Sequence, residues 1–593
     1  MILRARWVLP ISSEPIPDGE VVVEGGQIAE VRPRSSLPDS DALDFGDAIL
    51  MPALVNGHCH LEYTALRGRN DRVPFFEWIR GLVALKAHCP PELWLPSALL
   101  GAAELIASGV GFVSDNTDAG VSVEALARVG LRGRVYQEVF GIEPEPDDAT
   151  ILRARWVLPI SSEPIPDGEV VVEGGQIAAV RPRSSLLDSD ALDFGDAILM
   201  PALVNGHCHL EYTALRGRND RAPFFEWIRA LVALKAQCPP ELWLPSALLG
   251  AAELIASGVG FVSDNTDAGV SVEALACVGM RGRVYQEVFG IEPEPDDATI
   301  LRELTAKLEA HRQTLQRYEA SERITLGVAP HAIYTVRDSL MRAVRQYARE
   351  ESLPLSIHAA ESSEEVALAR AGSGSFAEMF VERKIPYLHP RVPPIEYLHN
   401  AGILASDVQL VHATRAEPRE LEMMARAGVS VAHCPRSNAR LLTGVAPVYA
   451  MRRLGIPVVL GTDSAVSAGS LDIWEELRFA ALAQRAVSYA ASPSWRDWVR
   501  ILTLDGAKAF GVDAHIGSLE VGKRADVIAL RTHRLAYASM PDPYAALVLV
   551  ARSEDVTFTM VDGRVLYHDG RWMGLDVPAL QQEVRRWLEA IGS

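Results

Sequence analysis

The chain has 593 residues, of which 48% are hydrophobic and 23% are charged, a balance typical of a folded globular protein with room for a barrel-sized domain and a smaller one. Its 77 acidic residues against 57 Lys and Arg give a formal net charge of -20. This acidic surface disfavours binding to nucleic acid or to an anionic membrane, so we expect neither as a partner. A homo-oligomer stays open.

The cysteines and the first residues of the chain predict its compartment. None of the six cysteines forms a CxxC pair, so no disulfide framework is indicated and a reducing environment is expected. The opening run MILRARWVLPISSEPIPDGE returns to charged residues too early for a signal peptide or a spanning helix. The sequence therefore predicts a cytoplasmic protein.

The chain begins with one long repeat. Residues 2–149 recur at 151–298, and the triplet ILR opens both copies and stands again at 300–302, where the second copy gives way to new sequence. A solenoid repeat is shorter and recurs more often. We interpret 1–149 as a redundant partial copy and 150–593 as the complete, working part of the chain. A biological duplication and an error of sequence assembly would both produce this pattern. The copies differ at seven positions: Glu30/Ala179, Pro38/Leu187, Val73/Ala222, Gly81/Ala230, His88/Gln237, Arg128/Cys277 and Leu131/Met280.

Two segments that flank the centre of this working part have the same β-rich pattern. Residues 150–200 contain short apolar runs and turns, as in PDGEVVVEGGQIAAV, and the tail 515–593 does the same in GSLEVGKRADVIAL and FTMVDGRVLYHDGRW. We predict that 150–200 and 515–593 pair into a small β-sandwich domain beside a barrel formed by 201–514.

Within 201–514, short apolar runs alternate with helical patterns, which is the signature of successive βα units. Eight parallel strands with intervening helices close into a TIM-like (β/α)8 barrel, an α/β fold whose chemistry lies at the carboxyl ends of the strands. The eight runs are LMPALVNGH, GFVSDNT, RVYQEVFG, RITLGVAPH, LPLSIHAAE, VQLVHAT, GVSVAHCP and PVVLGTDS. Each ends in polar residues: His207 and His209, Asp264 and Asn265, Glu287, His331, His358 and Glu361, His412, His433, and Asp463.

Four of these run ends suggest a metal site. His207 and His209 are two residues apart on one strand, so both imidazoles face the same side. This HxH pattern alone is weak, but His358 adds a third nitrogen and Asp463 a carboxylate at the same rim. Three nitrogens and one oxygen suit one Zn²⁺ or Fe²⁺ and leave a position for water. We expect one divalent metal, with Zn²⁺ preferred.

The order and spacing of several motifs resemble the amidohydrolase superfamily, in the branch of cytosine deaminase, S-adenosylhomocysteine deaminase and the triazine hydrolases. The resemblance covers 150–593. It rests on PALVNGHCHLEYTALRG (201–217), PHAIYT (330–335), IHAAES (357–362), VHAT (411–414), HCPRSNARL (433–441), LGTDS (460–464) and GSLEVGKRAD (517–526). Binuclear relatives carry a carboxylated lysine at the end of the fourth strand; RITLGVAPH has no lysine, so one metal is implied.

The resemblance implies roles for the residues of these motifs. His207, His209, His358 and Asp463 would bind the metal, which makes water available as a nucleophile near neutral pH. Asp463 would take a proton from that water, and Glu361 would pass a proton to the substrate ring and then to the leaving amine. His412 would stabilise the developing oxyanion.

Further residues are candidates for substrate binding, and each has a structural alternative. His331 would contact the substrate ring, and Glu211, Trp227, His433, Arg436 and Asn438 are the other candidates. Trp227 lies in an aromatic cluster that also suits a hydrophobic core, His433 suits a packed histidine, and Arg436 and Asn438 suit the organisation of a loop. Even Glu361 opens a helical pattern, where a solvated acid is favoured. At Arg415, a histidine often stands in relatives.

The runs LEYTALRG and HCPRSNARL are most similar to deaminases of adenine-type nucleosides, aminodeoxyfutalosine deaminases among them. A small-molecule substrate would lose its exocyclic amine as ammonia. A different aminated heterocycle, or hydrolytic dechlorination, is the alternative within the branch. A non-catalytic or poorly folded product of the duplication is the alternative outside it. Both copies carry an HxH, and we expect the second to fill the barrel, because the first would have to loop out about 150 residues.

Overall fold

The computed structural model describes residues 1–35, 42–69, 78, 82, 85–86, 89–137, 150–183, 191–220, 223–488, 493–540 and 542–591. The junction of the two copies and the differing positions 38/187 and 73/222, with 81 and 88 of the first copy, lie outside the described residues. The chain divides into two compact units, Met1–Glu145 and Pro146–Ser593, each of which is described by itself.

The larger unit contains an eight-stranded parallel sheet whose strands follow one another in chain order. A parallel bridge between Cys208 and Asp463 links the first strand to the segment after the last, so the sheet is a nearly closed barrel. The predicted barrel is thereby confirmed. The strands are β1 (Leu203–Cys208), β2 (Val259–Thr266), β3 (Arg281–Val288), β4 (Ile324–Pro330), β5 (Leu355–Ala359), β6 (Val408–His412), β7 (Ser430–His433) and β8 (Val458–Leu460).

Burial explains why these strands read as continuous apolar runs. Every residue of β5, β6, β7 and β8 is buried, as expected for parallel strands covered by helices on one face and by the barrel interior on the other. The helix Asp338–Glu350 shows the complementary pattern, with Leu340, Val344 and Ala348 on one buried stripe at a spacing of four residues.

Helices surround the barrel and fill its connections. In the described part of the chain, no helix combines the length and the hydropathy needed to cross a lipid bilayer. The helices of the larger unit are Phe224–Lys235, Trp243–Ala256, Ser271–Val278, Asp297–Arg317, Asp338–Glu350, Ser363–Ala371, Ser375–Glu382, Pro394–Asn400, Pro418–Ala427, Pro435–Arg440, Val448–Arg453, Ala465–Ala468, Ile473–Ser488, Trp495–Ile501, Leu504–Ala509, Pro543–Leu549 and Val577–Ile591.

The flanking β segments meet in one nine-stranded sheet. Ala197–Pro201 pairs antiparallel with Val527–Arg531, which joins the strands before the barrel to those after it. The spatial order is Gln176–Pro182, Ile165–Glu173, Thr150–Val157, Ala197–Pro201, Val527–Arg531, Val556–Val561, Arg564–His568 and Arg571–Trp572, with Leu192–Asp193 beside Thr150–Val157. Since the hydrogen bonds define a single sheet, the sandwich and the exact domain boundaries stay predictions.

The smaller unit repeats the start of the larger one without its completion. It has a five-stranded sheet, a three-stranded parallel sheet and two described α-helices. These are the strands Ile2–Val8, Ile16–Glu24, Gln27–Pro33, Ala42–Asp44 and Ile49–Leu50, the strands Leu54–Cys59, Val110–Thr117 and Arg132–Gln137, and the helices Trp94–Ala107 and Ser122–Val129. Val55 is 71% exposed here, whereas its counterpart Val204 in β1 is 0% exposed. The same local sequence therefore forms the same strands, but only the copy in the larger unit lies in a complete barrel.

Two equivalent glycines make this difference testable. A Cβ atom on Gly206 would meet three side-chain carbons of Val459, two of them at 2.8 and 3.0 Å, whereas a Cβ on Gly57 would meet nothing within 4 Å. We expect Gly206→Ala to destabilise the larger unit by about 1–3 kcal/mol through overpacking. Gly57→Ala should leave the same unfolding transition unchanged. Calorimetric unfolding of the full chain measures both, and equal midpoints for the two variants would contradict the placement of the second copy in the barrel.

Candidate active site

The four predicted metal ligands meet at the carboxyl ends of β1, β5 and β8. His207 Nε2 lies 3.3 Å from His358 Nε2 and 3.7 Å from Asp463 Oδ1, and His209 Nε2 lies 3.7 Å from the same oxygen. All four side chains are buried. Ligand atoms around a tetrahedral metal with bonds of about 2.0–2.1 Å are separated by about 3.3 Å, so the spacing fits one ion.

One side-chain and one backbone hydrogen bond hold this set together where β1 meets the segment after β8. Asn205 Nδ2 donates to Thr462 Oγ1 at 2.7 Å, and the amide of Asp463 donates to the carbonyl of His207 at 3.0 Å. Gly461 allows this approach, since a Cβ there would stand 2.7–2.9 Å from atoms of His207. Asp463 itself takes a positive φ of 55°, which turns its carboxylate toward the histidines.

The hydrogen bonds of Asp463 leave one of its oxygens for a metal. Asp463 Oδ2 accepts from Ser437 Oγ at 2.5 Å and from Ser467 Oγ at 2.9 Å, which leaves Oδ1 for the histidine side. Burial, with the charges of His209 and His358, lowers the pKa of His207 well below its usual value, so its imidazole is neutral and able to ligate.

Glu361 and His412 stand together beside the metal ligands. His412 Nε2 lies 3.5 Å from Glu361 Oε1, and the Asn438 amide nitrogen lies 3.0 Å from His412 Nδ1. Because that amide donates to Nδ1, the ring carries its proton on Nε2, on the side of Glu361. Glu361 is 3% exposed, so it is not a solvated helix-start acid. Burial raises its pKa well above the usual value, and the charges of Asp463 and Glu365 add to this.

Three substrate-binding candidates, His331, His433 and Asn438, lie near this cluster. The His331 ring stands 4.6 Å from the His358 ring and 4.9 Å from Phe289, centroid to centroid. His433, at the end of β7, is fully buried, and neither of its ring nitrogens has a partner among the described residues. Asn438 reaches the site through His412.

The other candidates have structural contacts. Arg436 forms an ion pair with Glu475 at 2.9 Å and donates to Ser470 Oγ and to the carbonyl of Ala468. The indole of Trp227 is buried in the hydrophobic core of the barrel. These contacts give Arg436 a role in its loop and Trp227 a role in packing.

Glu211 is held by the fold around it. Its carboxylate accepts from Thr266 Oγ1 at 2.6 Å and from the amides of Asp267 and Ala268 at 2.8 and 3.1 Å. Glu62 makes the same set of bonds with Thr117, Asp118 and Ala119 in the smaller unit. The smaller unit lacks counterparts of His358 and Asp463, so this arrangement forms without an active site and fixes the loop after β2.

The sequence places Glu287 at the end of a strand run and assigns it no role. In the structure, a carboxylate oxygen of Glu287 and ring nitrogens of His209 and His358 all lie within 4.8 Å of one another. The signal in the sequence was the acid at the end of β3, but strand ends of this kind are also occupied by structural acids such as Asp264.

A nearly closed parallel barrel with buried histidines and an aspartate at its carboxyl rim defines a metal-dependent hydrolase. The model of the Amidohydrolase family matches residues 198–566, and the chain belongs to this family. It is a hydrolytic enzyme that acts on C–N bonds of a small molecule, a deaminase of this superfamily with a site for a divalent metal.

Similar proteins agree with this assignment. A 5-methylthioadenosine/S-adenosylhomocysteine deaminase of Nitratidesulfovibrio vulgaris (strain DSM 19637 / Miyazaki F) is 33% identical over 441 residues, 72% of this chain and 93% of that protein. One from Halobacterium salinarum is 32% identical over 425 residues, 71% of this chain and 93% of that protein. An adenosine deaminase from Xanthomonas campestris with bound zinc aligns with a TM-score of 0.66 and 28% identity, covering 76% of this chain and 99% of that one.

Proposed function

We propose that this chain deaminates an adenine-type nucleoside, with aminodeoxyfutalosine as the specific candidate from the sequence. Water replaces the exocyclic amine, leaving a ring carbonyl and one ammonia. The observation that carries the proposal is the pairing of Glu361 with His412 beside the set of His207, His209, His358 and Asp463. The relatives named as 5-methylthioadenosine/S-adenosylhomocysteine deaminases and as an adenosine deaminase support the same substrate class.

Four of these residues form the proposed metal site. His207, His209, His358 and Asp463 would hold one divalent ion, for which three nitrogens and one oxygen favour Zn²⁺ over Fe²⁺. When bound, such an ion supplies the Lewis acidity that makes water a nucleophile near neutral pH.

Asp463 accepts a proton from the attacking water at Oδ1, because Ser437 and Ser467 hold its other oxygen. Glu361, protonated at the start, delivers its proton to the substrate ring, takes the second water proton from the hydroxyl now on the attacked carbon, and passes that proton to the departing amine. The proton held by Asp463 then returns to Glu361, so both carboxyl groups regain their starting state. His412 donates from Nε2 to the oxygen that develops negative charge, since Asn438 fixes the tautomer of its ring. His331 contacts the substrate ring from the side of β4.

A substrate panel tests the proposal. We expect adenosine, 5-methylthioadenosine, S-adenosylhomocysteine or aminodeoxyfutalosine to release ammonia with kcat/KM of about 10⁴ M⁻¹s⁻¹ or more, the lower end for enzymes with their own substrates. Cytosine and chlorinated triazines, with chloride detection for the latter, are the controls. Silence toward every 6-aminopurine nucleoside would contradict the substrate class. Silence toward the whole panel, by a chain that holds about one metal ion, would indicate a non-catalytic product of the duplication.

A further inference from the structure

Glu287 is a buried acid in the barrel that the steps above do not use. Gln286, its neighbour in β3, points outward: its side chain donates to the carbonyl of Thr266 and contacts His311 Nε2 at 2.9 Å on the helix Asp297–Arg317. Because successive side chains of a strand point to opposite faces, Glu287 points into the barrel. Its carboxylate accordingly stands within 4.8 Å of ring nitrogens of His209 and His358.

The hydrogen bonding of this carboxylate is incomplete. Glu287 is 4% exposed, and its Oε1 has no hydrogen-bond partner among the described residues. Glu211, an acid that is 0% exposed, meets three donors on the segment 266–268. A buried carboxylate oxygen without a donor is costly. Asp264 Oδ2 also lacks a partner among the described residues, so it is the position of Glu287 beside ring nitrogens of His209 and His358 that points to a donor arriving with a ligand.

Lys235, a cation near Glu287, forms its hydrogen bonds with other groups. Lys235 Nζ donates to Tyr212 Oη at 2.6 Å and to Asp267 Oδ2 at 2.8 Å. Phe289, two residues after Glu287, is 38% exposed and packs against His331. The end of β3 therefore runs from the metal ligands toward the protein surface.

We propose that Glu287 binds the substrate directly, accepting a hydrogen bond from an O–H or N–H group next to the metal ligands. This rests on the proposed function and narrows its substrate class. The part of the nucleoside that reaches β3 carries a donor, such as a sugar hydroxyl or an amine.

Glu287→Gln tests this inference in the full-length, metal-loaded enzyme. We expect kcat/KM for adenine nucleosides to fall by about 10-fold, because glutamine keeps an acceptor oxygen but loses the charge that strengthens the hydrogen bond. The fall should appear mainly in KM, with metal content and unfolding midpoint as in the wild type. Glu420→Gln is the matched control: Glu420 is 1% exposed and accepts hydrogen bonds from the amides of Ile395 and Glu417. The change should lower the unfolding midpoint and leave KM nearly unchanged.

A series of 2′-, 3′- and 5′-deoxyadenosine identifies the donor. Where a sugar hydroxyl is the donor, the wild type loses activity on the deoxy compound that lacks it, and Glu287→Gln loses less on that compound. If Glu287→Gln is equally less active than the wild type on all three deoxy compounds, the donor is on the base. Titration calorimetry with inosine and adenosine measures binding to the wild type separately from turnover.

Three results would overturn the inference. One is an active wild type whose kcat/KM does not change in Glu287→Gln, which leaves the proposed function intact. Another is loss of the metal in Glu287→Gln, which makes Glu287 a metal ligand. The third is a wild type that neither binds nor converts these nucleosides, which overturns the inference together with the proposed function.

Discussion

His207→Ala is expected to remove both the metal and the activity, while His58→Ala leaves both as they are. The two histidines have identical neighbours in sequence, but His207 stands 3.3 Å from His358 and 3.7 Å from Asp463. His58 is exposed, and its unit ends before any counterpart of those two residues. Losing one of four ligands should lower metal content from about one ion per chain toward zero and activity by about 10³-fold or more.

Metal content and ammonia release of the purified full-length variants His207→Ala and His58→Ala test this prediction. His58→Ala is the control for His207→Ala, because the same substitution in the same local sequence isolates the effect of the complete barrel. Loss of metal from His58→Ala with retention in His207→Ala would place the first copy in the active site and reverse the assignment.

Glu361→Gln should separate proton transfer from metal binding. Glutamine keeps the shape of the side chain and its proximity to His412, but it cannot pass a proton from the water to the leaving amine. Positioned general acids and bases contribute about 10²- to 10⁴-fold, so kcat should fall within that range while the metal content stays at the wild-type value.

Glu364→Gln is the control for this variant. Glu364 lies in the first turn of the helix Ser363–Ala371 and is not fully buried, so the change should alter kcat by about twofold at most. Wild-type kcat in Glu361→Gln would remove Glu361 from the mechanism. Loss of the metal instead would show that its carboxylate supports the ligand set rather than the proton transfer.

The sequence predicted the barrel and its rim because both depend on local patterns. Apolar runs separated by helical patterns predict parallel strands, and the carboxyl ends of such strands share one rim. His207, His209, His358 and Asp463 could therefore be expected together although 256 positions separate the first from the last. Their convergence within hydrogen-bonding distances follows from the strand order that the structure shows.

Side-chain roles near the rim could not be predicted in the same way, because they depend on donors from other elements. Glu211 is a candidate for substrate contact, and the segment 266–268 provides donors to its carboxylate. Arg436 is a candidate for binding a polar substrate group or for organising its loop, and it contacts Glu475 and Ser470. Both substrate roles stay predictions. The sequence assigns no role to Glu287, whose carboxylate lies beside two of the metal ligands with Oε1 unpartnered among the described residues.

By itself, the sequence determined the strands, the helices between them and the residues that end each strand. The first part of this pattern occurs twice in the sequence, in nearly identical copies. Only the tertiary structure decided which copy completes a barrel. Val204 is 0% exposed and Val55 is 71% exposed, although each stands in the same hexapeptide strand. The physical reason is that a strand forms from its own residues, whereas its burial and the metal site require the residues beyond 299. Those residues occur once in the chain, so they can complete the barrel with only one copy.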